Sequence, residues 1–228
     1  EPDANADALI WHADVRRMLL TQKAIAEGGR AMIYAAAQTA DLMVDAGRRQ
    51  DRATQDKHDD TLGFYTPILK GFLTEMGLEA ANLGMQVFGC HGYIHEHGME
   101  QIARDARIAT LYEGTTGIQA LDLLGRKVLL GTRGKCVRDF SRTMLRSAKA
   151  HWPAHGSIGR MARSTVKRAI EWNLLTLRIM RRVGKDRDLV GSASVDYLMY
   201  SGYVMMAHFW VRQAAVAQTF LRNGKGAE

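Results

Sequence analysis

The chain has 228 residues, of which 46% are hydrophobic and only 3 are proline, so it can bury a sizeable core. Its 2 cysteines exclude a disulfide-stapled scaffold. Apolar runs stay short of the roughly 20 residues that span a bilayer, and the first residues do not resemble a signal peptide. We therefore expect a soluble, mostly helical protein of the cytoplasm.

The net charge of +7 is distributed unevenly along the chain. Residues 1–130 carry 13 Lys and Arg against 18 Asp and Glu, a net charge of −5. Residues 131–228 carry 18 against 6, a net charge of +12. The change coincides with a glycine-flanked stretch at 131–134, where we predict a boundary between a first domain, 1–130, and a basic helical extension, 131–228.

A long amphipathic helix is predicted near the amino end of the chain. Its apolar residues keep the three-four spacing of a bundle seam: Val15, Met18, Leu19, Ile25, Met32, Ile33, Ala36 and Met43. The polar stretch 47–60 that follows predicts a loop. A second helix is predicted to begin at Thr66 and Pro67, because proline is favoured in the first turn of a helix.

The second predicted helix ends where Gly89 and Gly92 interrupt the apolar periodicity. A short helix over 99–108 and a last helix over 111–130 follow. Two long and two shorter helices predict an all-α fold, an antiparallel four-helix bundle followed by a second helical segment.

The extension predicts three more helices, near 135–150, 157–184 and 190–222, with breaks at Pro153, Gly156, Gly184 and Gly191. Its positive charge admits several partners. Clustered Arg and Lys neutralise the phosphates of nucleic acid and also attract an anionic membrane surface. The simplest alternative is a solvated face that pairs with acidic surface elsewhere in the protein or in a second subunit.

A glycine-flanked turn at 112–119 places one carboxylate, Glu113, directly before an apolar helix. Gly114 removes a side chain beside it, so that another molecule can approach the backbone, and Thr115 or Thr116 can cap the helix. Outward-facing amides could then polarise a carbonyl while the carboxylate acts as a base. The alternative is that Glu113 is simply a capping residue.

Two further blocks precede this turn, Gln-Val-Phe-Gly-Cys-His-Gly-Tyr at 86–93 and Arg-Asp-Ala-Arg-Ile at 104–108. The three blocks, in this order and spacing, resemble the carboxy-terminal domain of the acyl-CoA dehydrogenases. The resemblance extends from about His12 to Leu130. The stretch 190–197 resembles the extra helical tail of the long bacterial members.

The resemblance implies an FAD-dependent α,β-dehydrogenation of an acyl-CoA thioester, in which Glu113 removes the α-proton while hydride passes to N5 of FAD. It implies substrate contacts from Tyr112, Gly114 and Arg126, although the family's arginine falls one residue earlier, on Gly125. Cys90 stands where relatives usually have a second glycine. The implied FAD contacts are Gln86, Val87, Phe88, Gly89, Cys90, Gly92, Thr115 and Gly117.

The family's amino-terminal helical domain and its β domain have no counterpart here, so the resemblance implies a piece of a longer protein. We expect residues 1–228 alone to bind FAD weakly and to turn over poorly. The resemblance also implies a homodimer or homotetramer, and electron-transfer flavoprotein as the usual electron acceptor.

A metal site is one hypothesis for three closely spaced histidines, His91, His95 and His97. Positions 95 and 97 are too close to share one helical face, and no second ligand group with metal-site spacing follows, so no metal site is predicted. Two other functions stay open. One is a DNA-associated flavoprotein of the same fold, and the other is a non-catalytic helical dimerisation module.

Overall fold

The computed structural model describes residues 7–152, 156–186 and 188–224. These ranges are almost entirely helical and contain no strand, which confirms the all-α prediction. In these ranges none of the helices is both long enough and apolar enough to cross a membrane. The α-helices are α1 (Ala13–Arg48), α2 (Arg52–Val87), α3 (Met99–Ile108), α4 (Thr116–Leu121), α5 (Lys135–Lys149), α6 (Gly156–Val183) and α7 (Asp188–Arg222).

Helices α1 and α2 form a long antiparallel hairpin. The predicted first helix is confirmed, but the predicted loop over 47–60 is wrong, because α2 begins at Arg52. The side chain of Asp51 caps α2 by accepting a hydrogen bond from the Thr54 amide at 3.1 Å. The first turns of α2 are polar because they face solvent, and burial begins only at Phe64.

Pro67 lies inside α2 and is buried, so it does not begin a helix as predicted. A proline there cannot donate a hydrogen bond within the helix. One residue earlier, the Thr66 hydroxyl donates to the Leu62 carbonyl at 2.8 Å. The predicted end of α2 is confirmed, since a 3₁₀ segment, Gly89–Tyr93, follows it.

The helix predicted over 111–130 begins later, at Thr116, because two preceding residues have left-handed backbone conformations. Glu113 has φ of 52° and Gly114 has φ of 96°, values that a right-handed helix cannot contain. After Leu121 the chain continues as a π-helix, Asp122–Gly131. Residues 111–114 therefore belong to a turn between α3 and α4.

The three helices of the basic extension are found where they were predicted, as α5, α6 and α7. Gly191 lies inside α7 and does not break it, whereas Pro153 lies outside the described residues. Helix α7 packs against α1, α2 and α4 as well as α6. Phe72, Leu124, Trp172 and Leu198 are fully buried in one cluster, so both sides of residue 130 share a core. The division into two domains stays a prediction.

Candidate functional site

The turn between α3 and α4 carries Glu113 at the surface of the protein. Its side chain is exposed, and its backbone is in the left-handed region. Few residues with a Cβ adopt this conformation, because the Cβ approaches the carbonyl oxygen too closely. The Glu113 carbonyl accepts a hydrogen bond from Gln119 Nε2 at 3.4 Å. The backbone thus presents the carboxylate outward, just before the first turn of α4.

Gly114 and Thr115 shape the step from this turn into α4. A Cβ at residue 114 would lie 2.6 Å from Gln119 Nε2, and φ of 96° also favours glycine. The Thr115 hydroxyl accepts from the Ile118 amide at 3.4 Å, which confirms a threonine cap at this helix. Thr116 does not cap the helix: its hydroxyl donates to Glu75 Oε1 at 2.5 Å.

A cleft of about 780 Å³ opens beside the turn, between α2 and α7. This volume lies in the usual range for ligand pockets. Residues 75–86 of α2 form one wall, Thr116 stands at the start of α4, and Val195, Met199 and Tyr203 of α7 form the other wall. Gln86 lines the cleft, while Glu113 lies on the adjoining turn and does not line it.

The segment after α2 forms an exposed turn at the end of this cleft. Phe88, Gly89 and Cys90 are exposed, and a Cβ at Gly89 would meet no atom within 4 Å. Another molecule could therefore lie against this backbone. Gly92 is different, because it is buried and a Cβ there would lie 2.4 Å from the Met85 carbonyl oxygen. Packing inside the protein is sufficient to require glycine at residue 92.

The remaining predicted site residues occupy different surroundings. Val87 is half-buried at the end of α2, and Gly117 is half-buried in the first turn of α4. Tyr112 is exposed, and the ammonium of Lys70 lies 5.4 Å from the centroid of its ring. Arg126 is exposed on the π-helix, where a hydrogen bond with Asp122 raises the pKa of its guanidinium.

The sequence prediction missed Lys70 and Glu75, two half-buried residues of α2 that contact the Glu113 turn. Their only signal in the sequence is that these charged residues interrupt a largely apolar stretch, 68–76. Their partners lie 39 and 41 residues further along the chain. Local patterns carry no information about such a pairing.

The histidine cluster is an exposed group of rings. The centroids of His91 and His97 are 5.3 Å apart, and His95 Nδ1 lies 3.1 Å from Glu100 Oε1. In the part of the chain that the structure describes, no three His, Cys, Asp or Glu side chains come together as a metal site would require.

Comparison with known families gives two matches that together cover most of the chain. The family model described as "Acyl-CoA dehydrogenase, C-terminal domain" matches residues 1–129. The model described as "Acetyl-CoA dehydrogenase C-terminal like" matches residues 137–228. The first match contains the turn at 112–119 and the segment 86–93.

Curated relatives match the same regions. The 3-methylmercaptopropionyl-CoA dehydrogenase of Ruegeria pomeroyi is 37% identical over 98% of this chain and 37% of its own length. A butyryl-CoA dehydrogenase of Syntrophomonas wolfei is 36% identical over 57% of the chain and 21% of its own length. A broad-specificity linear acyl-CoA dehydrogenase of Mycobacterium tuberculosis is 38% identical over 52% and 19%. The chain thus spans well under half of the length of each of these relatives.

Proposed function

This chain belongs to the acyl-CoA dehydrogenase family, and we propose that it forms the carboxy-terminal part of an FAD-dependent enzyme that introduces an α,β double bond into an acyl-CoA thioester. The observation that carries the proposal is the position of Glu113. It is an exposed carboxylate on a left-handed turn, followed by a glycine and by the threonine cap of α4.

In this proposal Glu113 takes the α-proton of the thioester. Gly114 leaves space for the thioester to approach the backbone, and an amide of the turn donates to the thioester carbonyl, which makes the α-carbon more acidic. Tyr112 and Arg126 contribute further substrate contacts. Bound FAD would supply the acceptor for the β-hydrogen, which would leave as hydride with both electrons of its C–H bond.

The turn after α2 suits a large cofactor, since Phe88, Gly89 and Cys90 are exposed around a backbone with open space beside it. Gln86 extends this surface into the cleft. We assign FAD contacts to these residues, and also to Val87, Gly92, Thr115 and Gly117 through their place in the family pattern.

The rest of the site belongs, in this proposal, to other parts of the protein or to a second subunit. Ile108, Leu111, Ile118 and Leu121 are exposed around the turn, and apolar surface of this kind marks a contact site. We propose that further domains cover it in a cytoplasmic homodimer or homotetramer, with electron-transfer flavoprotein as the acceptor. We retain the two-domain division at residue 130 as part of the proposal.

Anaerobic titration of the full-length flavoprotein tests this function. The panel of substrates should contain straight-chain acyl-CoAs of increasing length and 3-methylmercaptopropionyl-CoA, because the relatives' names include both kinds. At least one of them should bleach the flavin. Glu113→Gln should abolish bleaching while the flavin stays bound, because the amide cannot accept the α-proton.

Two results would contradict the proposal: a wild-type flavin that no acyl-CoA reduces, or an undiminished rate in Glu113→Gln. The second result would favour the non-catalytic dimerisation module. Salt-sensitive retention on DNA without acyl-CoA turnover would favour the DNA-associated alternative. The names of the relatives described above support neither alternative.

A further inference from the structure

Two charged side chains of α2 hold the backbone that carries Glu113. Lys70 Nζ donates to the Ala109 carbonyl oxygen at 2.5 Å, at the start of the turn. The same ammonium lies 5.4 Å from the centroid of the Tyr112 ring, close enough for a cation–π contact. Glu75 Oε1 accepts from the Thr116 hydroxyl at 2.5 Å, at the end of the turn.

These contacts bracket an unfavourable backbone conformation. Between Ala109 and Thr116 lies Glu113, which has a Cβ and yet adopts φ of 52°. Such a conformation persists only where the surrounding structure fixes it, and it is frequent at functional sites. The side-chain hydrogen bonds within the turn are longer. Gln119 Nε2 donates to the Glu113 carbonyl at 3.4 Å, and the Thr115 hydroxyl accepts from the Ile118 amide at 3.4 Å.

Among the described residues, two hydrogen bonds join 109–116 to a helix remote in sequence: Lys70 donates one to Ala109, and Glu75 accepts the other from Thr116. Both side chains are half-buried, so water competes with these bonds less than it does at the surface. Charge on one partner also makes each bond stronger than a neutral one. Helix α2 therefore acts as a rigid support for both ends of the turn.

We propose that Lys70 and Glu75 are positioning residues, which fix where the Glu113 carboxylate stands. This inference rests on the function proposed above. Neither residue reacts with the substrate. Each acts through the backbone of the turn, and proton abstraction depends steeply on placement, because a displacement of about 1 Å can cost on the order of 100-fold in rate.

The test uses the full-length flavoprotein with the acyl-CoA that reduces the wild-type flavin fastest. Lys70→Met removes the ammonium at similar length, and Thr116→Val removes the hydroxyl that Glu75 binds. Each should slow flavin reduction by about tenfold while KM and flavin content stay unchanged. The kinetic isotope effect with α-deuterated substrate should rise, because proton abstraction becomes more fully rate-limiting.

Matched variants separate positioning from general effects. Lys57→Met and Thr61→Val make the same chemical changes nearer the amino end of α2 and should leave the rate unchanged. Lys70→Arg retains a donor and should recover much of the rate. The double variant Glu75→Leu/Thr116→Val should be no slower than the slower of its two single variants. Each single substitution already removes the hydrogen bond that the two residues share.

Three outcomes would overturn the inference. The first is a wild-type rate and isotope effect in Lys70→Met and Thr116→Val. The second is a slower rate in all the variants, Lys70→Arg included, accompanied by a proportional loss of bound flavin or of folding stability. That result would show that the residues are merely structural. The third is additive losses in the double variant. A wild-type flavin that no acyl-CoA reduces would instead refute the proposed function itself.

Discussion

The ring of Phe72 on α2 lies directly against the backbone of Gly202 on α7. A Cβ at residue 202 would stand 2.1 Å from Cγ of Phe72, much closer than packed carbon atoms allow. Phe72 also makes an edge contact with Tyr203, with 4.9 Å between the ring centroids. Residues 1–130 and the basic extension therefore meet at a point where only glycine fits.

Gly202→Ala should destabilise the protein by about 1–3 kcal/mol, because the added methyl group overpacks a buried contact. Urea unfolding measures this difference. Gly191→Ala is the matched control, since residue 191 lies in the same helix and a Cβ there meets nothing within 4 Å. It should raise stability by up to about 1 kcal/mol through helix propensity. Equal stability of the two variants would show that α7 does not pack on α2 in this way.

Helices with a strong apolar period could be predicted from the sequence, because the period directly records which face is buried. Helices α1, α3, α5 and α6 are of this kind. The start of α2 could not be predicted by the same reasoning. Its first turns face solvent and contain Asp56, Asp59 and Asp60, so their composition is that of a loop although their conformation is helical.

In the candidate site, too, only local features could be predicted from the sequence. Glu113 and Gly114 could be identified because the turn is local, with all its residues adjacent in sequence. Lys70 and Glu75 could not, because their contacts with the turn exist only after α2 has packed against it. A charged residue in an apolar stretch of sequence indicates a partner inside the protein without identifying it.

Asp51→Ala should lower the thermal unfolding midpoint at neutral pH, because α2 loses its cap. The hydrogen bonds from Thr54 lower the pKa of Asp51 below its ordinary value of 3.8. Folding therefore favours the ionised carboxylate. The stability that the cap provides is present above pH 3.8 and is lost as the pH falls through the lowered pKa of Asp51. The difference from wild type should shrink in that acidic range.

Asp56→Ala provides the control, because it removes an exposed carboxylate from the second turn of the same helix. Its effect on the midpoint should be smaller. An equal loss in both variants would show that charge alone, and not the cap, accounts for the change at residue 51.

His208 should make the protein less stable in mild acid. Burial lowers the pKa of its imidazole from 6.5 to about 4, and the nearby Arg212 acts in the same direction. The unfolded chain therefore binds the additional proton between about pH 6.5 and about pH 4, so stability falls as the pH is lowered through this window. The loss amounts to about 3–4 kcal/mol at most, from about 1.4 kcal/mol for each pKa unit.

The measurement is the free energy of unfolding in urea at several pH values. His208→Leu places an apolar side chain of similar size against Phe140 and Phe209. It should flatten the dependence of the unfolding free energy on pH in this window. His58→Gln, at a less buried site, should leave the slope as it is. A wild-type slope in His208→Leu would assign the acid sensitivity to other groups.

Glu113→Gly should stabilise the protein while it abolishes flavin reduction. The left-handed conformation at φ of 52° costs a residue with a Cβ about 1–2 kcal/mol, whereas glycine adopts it freely at an entropic cost of about 0.5–1 kcal/mol. A net gain of about 0.5–1 kcal/mol should therefore appear in urea unfolding. The exposed side chain contributes little packing that could offset this gain.

Gln50→Gly and Arg133→Gly separate the two effects, because residues 50 and 133 have φ of 59° and 48° and lie at other turns. Both variants should gain similar stability and retain full activity. If they gain stability and Glu113→Gly does not, the backbone at residue 113 is not left-handed in the full-length enzyme. If all three gain stability and only Glu113→Gly loses activity, residue 113 keeps an unfavourable conformation because the reaction needs its carboxylate there.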